Sequence, residues 1–279
     1  MEQLSRVQLY RNLIHKNISE RFSNVLKINI AILSGVEELF LTSDRQNEVS
    51  EIDYFQLSNR IRNNVEMLEI RDWEWPDNSV YKLRNNISKI LDEYENKNKI
   101  NRKNIRNLFN KLINELTEFN DKMIEQNVEY EPRERKSGMP QVFLSHAYDD
   151  KAYSLALFDY FYEQGVYLYV GWMHNEIEND GRELKRILQM RLDESMQLLF
   201  LRTLNSELDI QGKQMIRPWC AWELGNFYGK EHGEEKYLIN LYSVDCYSNI
   251  LIHGLKLYTG VQGNKLQGIE INSWKTRNI

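Results

Sequence analysis

Two side chains four residues apart, Trp219 and Glu223, could do chemistry together; they lie in the segment RPWCAWELGNFYG, residues 217–229. Pro218 suits the first position of a helix, where its missing N–H costs little. On that helical phase Cys220, Leu224 and Phe227 recur at i, i+4 and i+7 and form the core stripe. Trp219, Glu223 and Asn226 follow the same spacing on the adjacent stripe, so Trp219 and Glu223 are neighbours off the best core face. Glu223 is also within about two turns of the helix start, where the dipole favours an ionised carboxylate. An aromatic plate beside a fixed carboxylate could hold a nucleotide. On spacing alone, the plainer account is a solvated helical glutamate beside an anchoring tryptophan.

The elements around this segment read as an alternation of strands and helices. Residues 142–144, 166–170, 198–201, 237–242 and 255–258 are short apolar runs, as buried strands are. Between them, Tyr153, Leu157 and Phe161 mark one helical stripe and Leu184, Leu188 and Leu192 another, with Gly165 stopping the first helix. Such alternation predicts an α/β domain with a parallel sheet covered on both faces. Ligands of such sheets bind at the carboxyl ends of the strands. That end gathers the loops at 145–150 and 171–181 and the connection at 203–219.

Residues 1–128 keep a different period. Leu9, Leu13; Ile28, Ile32, Val36; Leu83, Ile87, Ile90, Leu91; and Leu108, Leu112, Leu116 step by three and four. They predict an all-α helical domain with its own core and a possible role in oligomerisation or sensing, with a turn at residues 72–78 (DWEWPDN). Residues 129–140 (EYEPRERKSGMP) crowd charges with Pro132, Gly138 and Pro140 and read as a linker. The second domain is then 141–279.

Other pairs are weaker. Ser145 and His146 are adjacent, and adjacent strand side chains point to opposite faces, so they are no nucleophile–base pair. Asp149 and Asp150 read as helix caps. Cys220 reads as a buried core thiol, Arg202 as a strand-end charge at the rim, and His174 and His232 as loop residues without metal-ligand spacing.

The chain has 279 residues, 42% of them hydrophobic and 28% charged, which suits packed domains rather than global disorder. Residues 1–137 hold 22 basic and 23 acidic side chains and residues 138–279 hold 14 and 18, so neither half has the basic excess that nucleic acid demands. Two cysteines, no signal-peptide core and no long apolar run point to a cytoplasmic protein without a membrane partner.

Three motifs together resemble one family. QVFLSHAYDDK (141–151) resembles the opening strand and loop of TIR (Toll/interleukin-1 receptor) domains, DGRELKRILQMRLDESMQLLFL (180–201) their loop, amphipathic helix and buried strand, and Trp219-x-x-x-Glu223 the W-x-x-x-E of TIR enzymes that consume NAD. The resemblance covers residues 141–260. It implies a flavodoxin-like domain with a five-stranded parallel sheet that cleaves the nicotinamide–ribose bond of NAD. Glu223 would be catalytic, with Trp219 near the nicotinamide and Ser145, His146, Ala147, Tyr148, Gly171 and Trp172 lining the pocket. NAD would be a substrate, with no cofactor and no metal, and the product would be ADP-ribose or a cyclic or conjugated form of it. Self-association through both domains, an upstream trigger or downstream effector protein, and a place in bacterial anti-phage defence are implied as well. The alternative is a non-enzymatic TIR scaffold. Departures from the pattern are the missing acidic residue at Gly171 or Trp172, the strand end Leu201-Arg202-Thr203, and a long connection at 204–216.

Overall fold

The structure is a computed structural model that describes residues 6–14, 23, 26–27, 29–35, 38, 48–69, 79–95, 97, 99–127, 133–174, 181–211, 213–229, 236–240, 252 and 254–270. The expected turn at 72–78, the start of the linker at 129–132 and the loop at 175–180 lie outside them. The chain divides into two compact units, Tyr10–Val128 and a second made of Met1–Leu9 with Glu129–Ile279. The described residues 6–9 therefore belong with the C-terminal unit.

In the helical unit the main elements follow α1 (Arg6–Ile14), whose first residues belong to the other unit. They are β1 (Glu48–Ser50), α2 (Glu51–Glu69), α3 (Ser79–Asp92), β2 (Lys99–Asn101) and α4 (Arg102–Asn127). Residues 29–35 are helical as well. The apolar stripes are buried: Ile61 and Val65 on α2, Leu83, Ile87 and Leu91 on α3, and Leu108, Leu112 and Leu116 on α4. Tyr54 donates its hydroxyl to Leu91 O at 2.6 Å, pinning α2 to α3. Two features escape the helical period. β1 and β2 pair antiparallel over three residues each, too few to show an alternation. Each leads directly into a helix whose start it caps: Ser50 Oγ accepts from Asp53 N at 3.1 Å and Asn101 Oδ1 from Asn104 N at 2.9 Å.

The second unit is a mixed α/β sandwich. Its elements are β3 (Gln141–Ser145), α5 (Lys151–Glu163), β4 (Tyr167–Tyr169), α6 (Gly181–Glu194), β5 (Gln197–Arg202), β6 (Glu207–Ile210), β7 (Lys213–Ile216), α7 (Pro218–Tyr228), β8 (Lys236–Asn240), β9 (Leu255–Gln262) and β10 (Lys265–Glu270). One sheet runs β10-β9-β8-β5-β3-β4, and its last five strands are mutually parallel. The sheet has six strands rather than the expected five, because β10 returns antiparallel along β9. β10 (KLQGIE) is polar and its strand character comes from pairing across the turn, with Gly263 at φ +56°, so its own pattern carries little signal. A Cβ at Gly268 in β10 would stand 2.3 Å from the Tyr237 ring, so a larger residue there would force the ring or the strand to shift.

The core sits on both faces. Phe143, Leu198, Phe200 and Leu255 face α6 and α7, packing on Leu188, Leu192, Leu224 and Phe227. On the other face α5 is buried almost all round, and its Phe161 meets Tyr258 edge-on with centroids 5.6 Å apart. Gly165, at φ +76°, turns the chain from α5 into β4 where a side chain would be strained. The long connection at 204–216 is a β6–β7 hairpin, a pair of four-residue strands that forms its own small sheet. No helix among the described residues is long and apolar enough to cross a membrane.

Candidate functional site

The chain leaves β3 for β4 on one side of it and then crosses to β5 on the other. The crevice at the carboxyl ends of β3 and β5 is thus the point where the winding reverses, the usual ligand position in open α/β sheets. Strand alternation decides what β3 sends there. Phe143 faces α7, so Ser145, two residues on, faces it too. α7 starts with Pro218 and presents Cys220 and Glu223, one turn apart, to this strand end. The two elements are joined twice. Ser145 Oγ donates to Glu223 Oε2 at 2.5 Å, and Cys220 Sγ donates to His146 O at 3.5 Å.

Glu223 is buried, with 8% of its surface exposed. It does not stand on a solvated stripe as helical spacing alone suggested, because the helix turns this side toward the end of β3. Among the described residues Ser145 supplies its one hydrogen bond. Burial pushes its carboxyl up to about 8, and the Ser145 hydroxyl pulls the other way. Trp219, one turn earlier, is 45% exposed, and its ring lies 5.3 Å from that of Trp222. A buried carboxylate and an open aromatic face therefore share one helix end.

The remaining predicted residues separate by depth. Ser145 and Ala147 are buried, so neither offers an open surface, while Tyr148 is exposed and its ring and hydroxyl both receive the Lys151 ammonium, 2.8 Å from the oxygen. The His146 ring is set against Leu144 O at 3.1 Å, and burial lowers its pKa to about 4, which keeps it neutral at pH 7. Gly171 opens a 3-10 turn at Gly171–His174, and Trp172 Nε1 donates to Ser154 Oγ at 2.8 Å, which ties that turn to α5. The His174 ring stacks on Tyr169 at 4.9 Å. Burial raises the Cys220 thiol to about 12, consistent with an inert core thiol.

A second buried carboxylate lies a few residues along the same loop. Asp150 stands at the N-cap position of α5, but its side chain makes no capping hydrogen bond. It accepts instead from Thr203 Oγ1 at 2.6 Å and Asn205 Nδ2 at 2.9 Å, and Arg6 lies 3.6 Å from it. Burial raises its pKa against the opposing pull of Arg6 and the two hydrogen bonds. Two hydrogen bonds and a guanidinium converging on one carboxyl nonetheless fit the ionised form. Arg6 is buried too, with its guanidinium 5.1 Å from the Tyr153 ring centroid. Neighbouring Arg202 does not reach the rim as a free charge; it is buried and pairs with Glu207 at the foot of the hairpin. Sequence reading missed this node because its members, residues 6, 150 and 203–205, come from three distant segments. Thr203 and Ser206 were the one local signal, a reciprocal capping box.

No family model, no curated protein and no solved structure matches the chain.

Proposed function

We propose that the C-terminal unit is an NAD-consuming enzyme of the TIR type, with Glu223 as its catalytic carboxylate. The observation that carries this reading is the position of Glu223: a buried carboxylate at the carboxyl end of β3, where the winding reverses, one turn from the open face of Trp219. The order of the five parallel strands supports a flavodoxin-like domain, since counted by appearance it is 2-1-3-4-5. The W-x-x-x-E spacing supplies the rest.

The chemistry follows from the leaving group. Nicotinamide departs from the ribose as a neutral molecule, because its ring nitrogen is cationic in NAD, so no general acid is needed. The barrier lies in the positive charge that grows on the ribose. A carboxylate in a water-poor site stabilises that charge more than it stabilises the ground state. Burial holds Glu223 protonated at neutral pH in the free protein. A bound pyridinium cation favours the ionised form, so the substrate itself charges the group it needs. Trp219 would stack on the nicotinamide side. Water as acceptor yields ADP-ribose; a nucleophile within the nucleotide or a second molecule yields a cyclic or conjugated product. Such consumption suits an anti-phage effector in the bacterial cytoplasm, with the helical unit serving self-association or response to a trigger.

The test uses the full chain, with and without lysate of infected cells, incubated with NAD beside Glu223→Gln. Mass spectrometry should find free nicotinamide and an ADP-ribose product that the variant does not form. NAD left unchanged in every condition would favour a scaffold that signals by TIR–TIR contact. Product that survives Glu223→Gln would remove Glu223 from the mechanism.

A further inference from the structure

We infer that Ser145 is a positioning residue that holds the Glu223 carboxylate in its working orientation, rather than a wall of the substrate pocket; this rests on the function proposed above. Ser145 has no exposed surface, so its hydroxyl is spent inside the protein. Its Oγ sits 2.5 Å from Glu223 Oε2, across 78 residues of chain, and among the described residues it is the only group bonded to that carboxylate. One oxygen is thereby occupied, and the other is left for a ribose hydroxyl. A glutamate has three side-chain torsions, and a single short bond from a strand end removes most of that freedom before substrate arrives. The rest of the clamp is also present. Cys220, one turn back on α7, donates to His146 O, so Glu223 and Cys220 are tied to two consecutive residues at the end of β3.

Two titratable groups beside this contact are displaced away from neutrality. Cys220 on α7 is pushed up to about 12 and His146 after β3 down to about 4. Asp150 lies beyond them with Arg6 against it, and Asp149 pairs with Arg217 at 3.3 Å at the head of α7. The Ser145 hydroxyl lowers the pKa of both Cys220 and Glu223, but the thiol stays protonated far above neutrality, so near pH 8 its loss is read on Glu223, whose ionised form the hydroxyl favours.

Two readouts test this on the full chain. An infrared titration, taken as the difference from Glu223→Gln, follows the Glu223 carboxyl without reference to activity. Ser145→Ala should move its midpoint up by about one pH unit, the size of one hydrogen bond to a charged group. Ser145→Thr, which keeps the hydroxyl, should return it. The rising limb of NAD consumption against pH should shift by the same amount in Ser145→Ala, with kcat falling about tenfold and KM nearly constant. Unmoved midpoints in a folded Ser145→Ala protein would overturn the assignment of Ser145. A moved infrared midpoint in a protein that leaves NAD intact would overturn the enzymatic reading instead and leave the Ser145–Glu223 coupling standing.

Discussion

Two carboxylates are buried beside the end of the same strand, and they are treated in opposite ways. Asp150 is met by Thr203, Asn205 and Arg6, while Glu223 is met by Ser145 alone. Burial raises the pKa of both. The difference lies in what answers that burial. A carboxylate with two hydrogen bonds and a guanidinium beside it is well answered, and it locks the segments that supply them. One with a single donor keeps acceptor capacity that a ligand could use. Asp150 thus reads as structural glue that draws the start of the chain into the α/β unit, and Glu223 as a group waiting for a partner.

Glu223→Gln should produce the largest divergence. NAD consumption should fall at least ~100-fold, as expected when a charge that stabilises a transition state is removed. Stability should move the other way. The unfolded chain gives up the Glu223 proton near its ordinary 4.5, whereas the folded chain keeps it to about 8. Native stability contributed by this group therefore declines as pH rises across that window. Glutamine does not titrate, so urea denaturation should show no gain at pH 4 and a gain of roughly 2–4 kcal/mol at pH 9.

At Asp150 the signs reverse. Arg6→Ala strands a buried carboxylate and should cost about 3 kcal/mol in the same assay. Asp150→Asn combined with Arg6→Ala should cost less than the sum of the two single changes, because neither buried group is then left charged without its partner. Strict additivity would show that Arg6 and Asp150 do not couple.

A finer contrast comes from pH. The kcat/KM profile reports the free enzyme and should rise with pH to a plateau above about 8, following ionisation of Glu223. The kcat profile, which reports the substrate complex, should rise at lower pH because the bound cation favours the carboxylate. Coincident limbs would mean that substrate charge does not reach Glu223.

The smallest effect on folding belongs to Trp219→Ala. Trp219 is about half exposed and leans on Trp222, so stability should fall by only about 1 kcal/mol. KM for NAD should nonetheless rise about tenfold, the size of one lost aromatic contact. A destabilised Trp219→Ala with unchanged KM would make this tryptophan an anchor for Trp222 instead.

Local patterns made much of this legible. The alternation of strand and helix signals after residue 140 located β3, α5, β4, α6, β5, α7, β8 and the start of β9 to within a few residues, because each is an apolar run or stripe with its own period. The stripes of the first half marked the buried faces of α3 and α4, while α2, although its Ile61 and Val65 are buried, was not singled out. Elements defined by pairing rather than by pattern were not visible. β1 and β2 are three residues long, the β6–β7 hairpin is short and polar, and β10 owes its conformation to β9. At the site, helical spacing made Trp219 and Glu223 neighbours, and strand alternation would have turned Ser145 to the side of Phe143. Neither rule says which helix face covers which strand end, so the burial of Glu223 and its bond to Ser145 were out of reach.

The sequence by itself determined periods: which residues could be helical or extended, which faces were apolar, and which side chains could stand one turn apart. These depend on interactions between near neighbours along the chain. Tertiary structure decided the electrostatics. Whether a carboxylate meets solvent, one hydroxyl, or two hydrogen bonds and a guanidinium depends on segments as far apart as residues 6, 145, 203 and 223, brought together only by packing on the sheet. Desolvation is a property of that assembled environment, and it separates the partnered Asp150 from the lone Glu223.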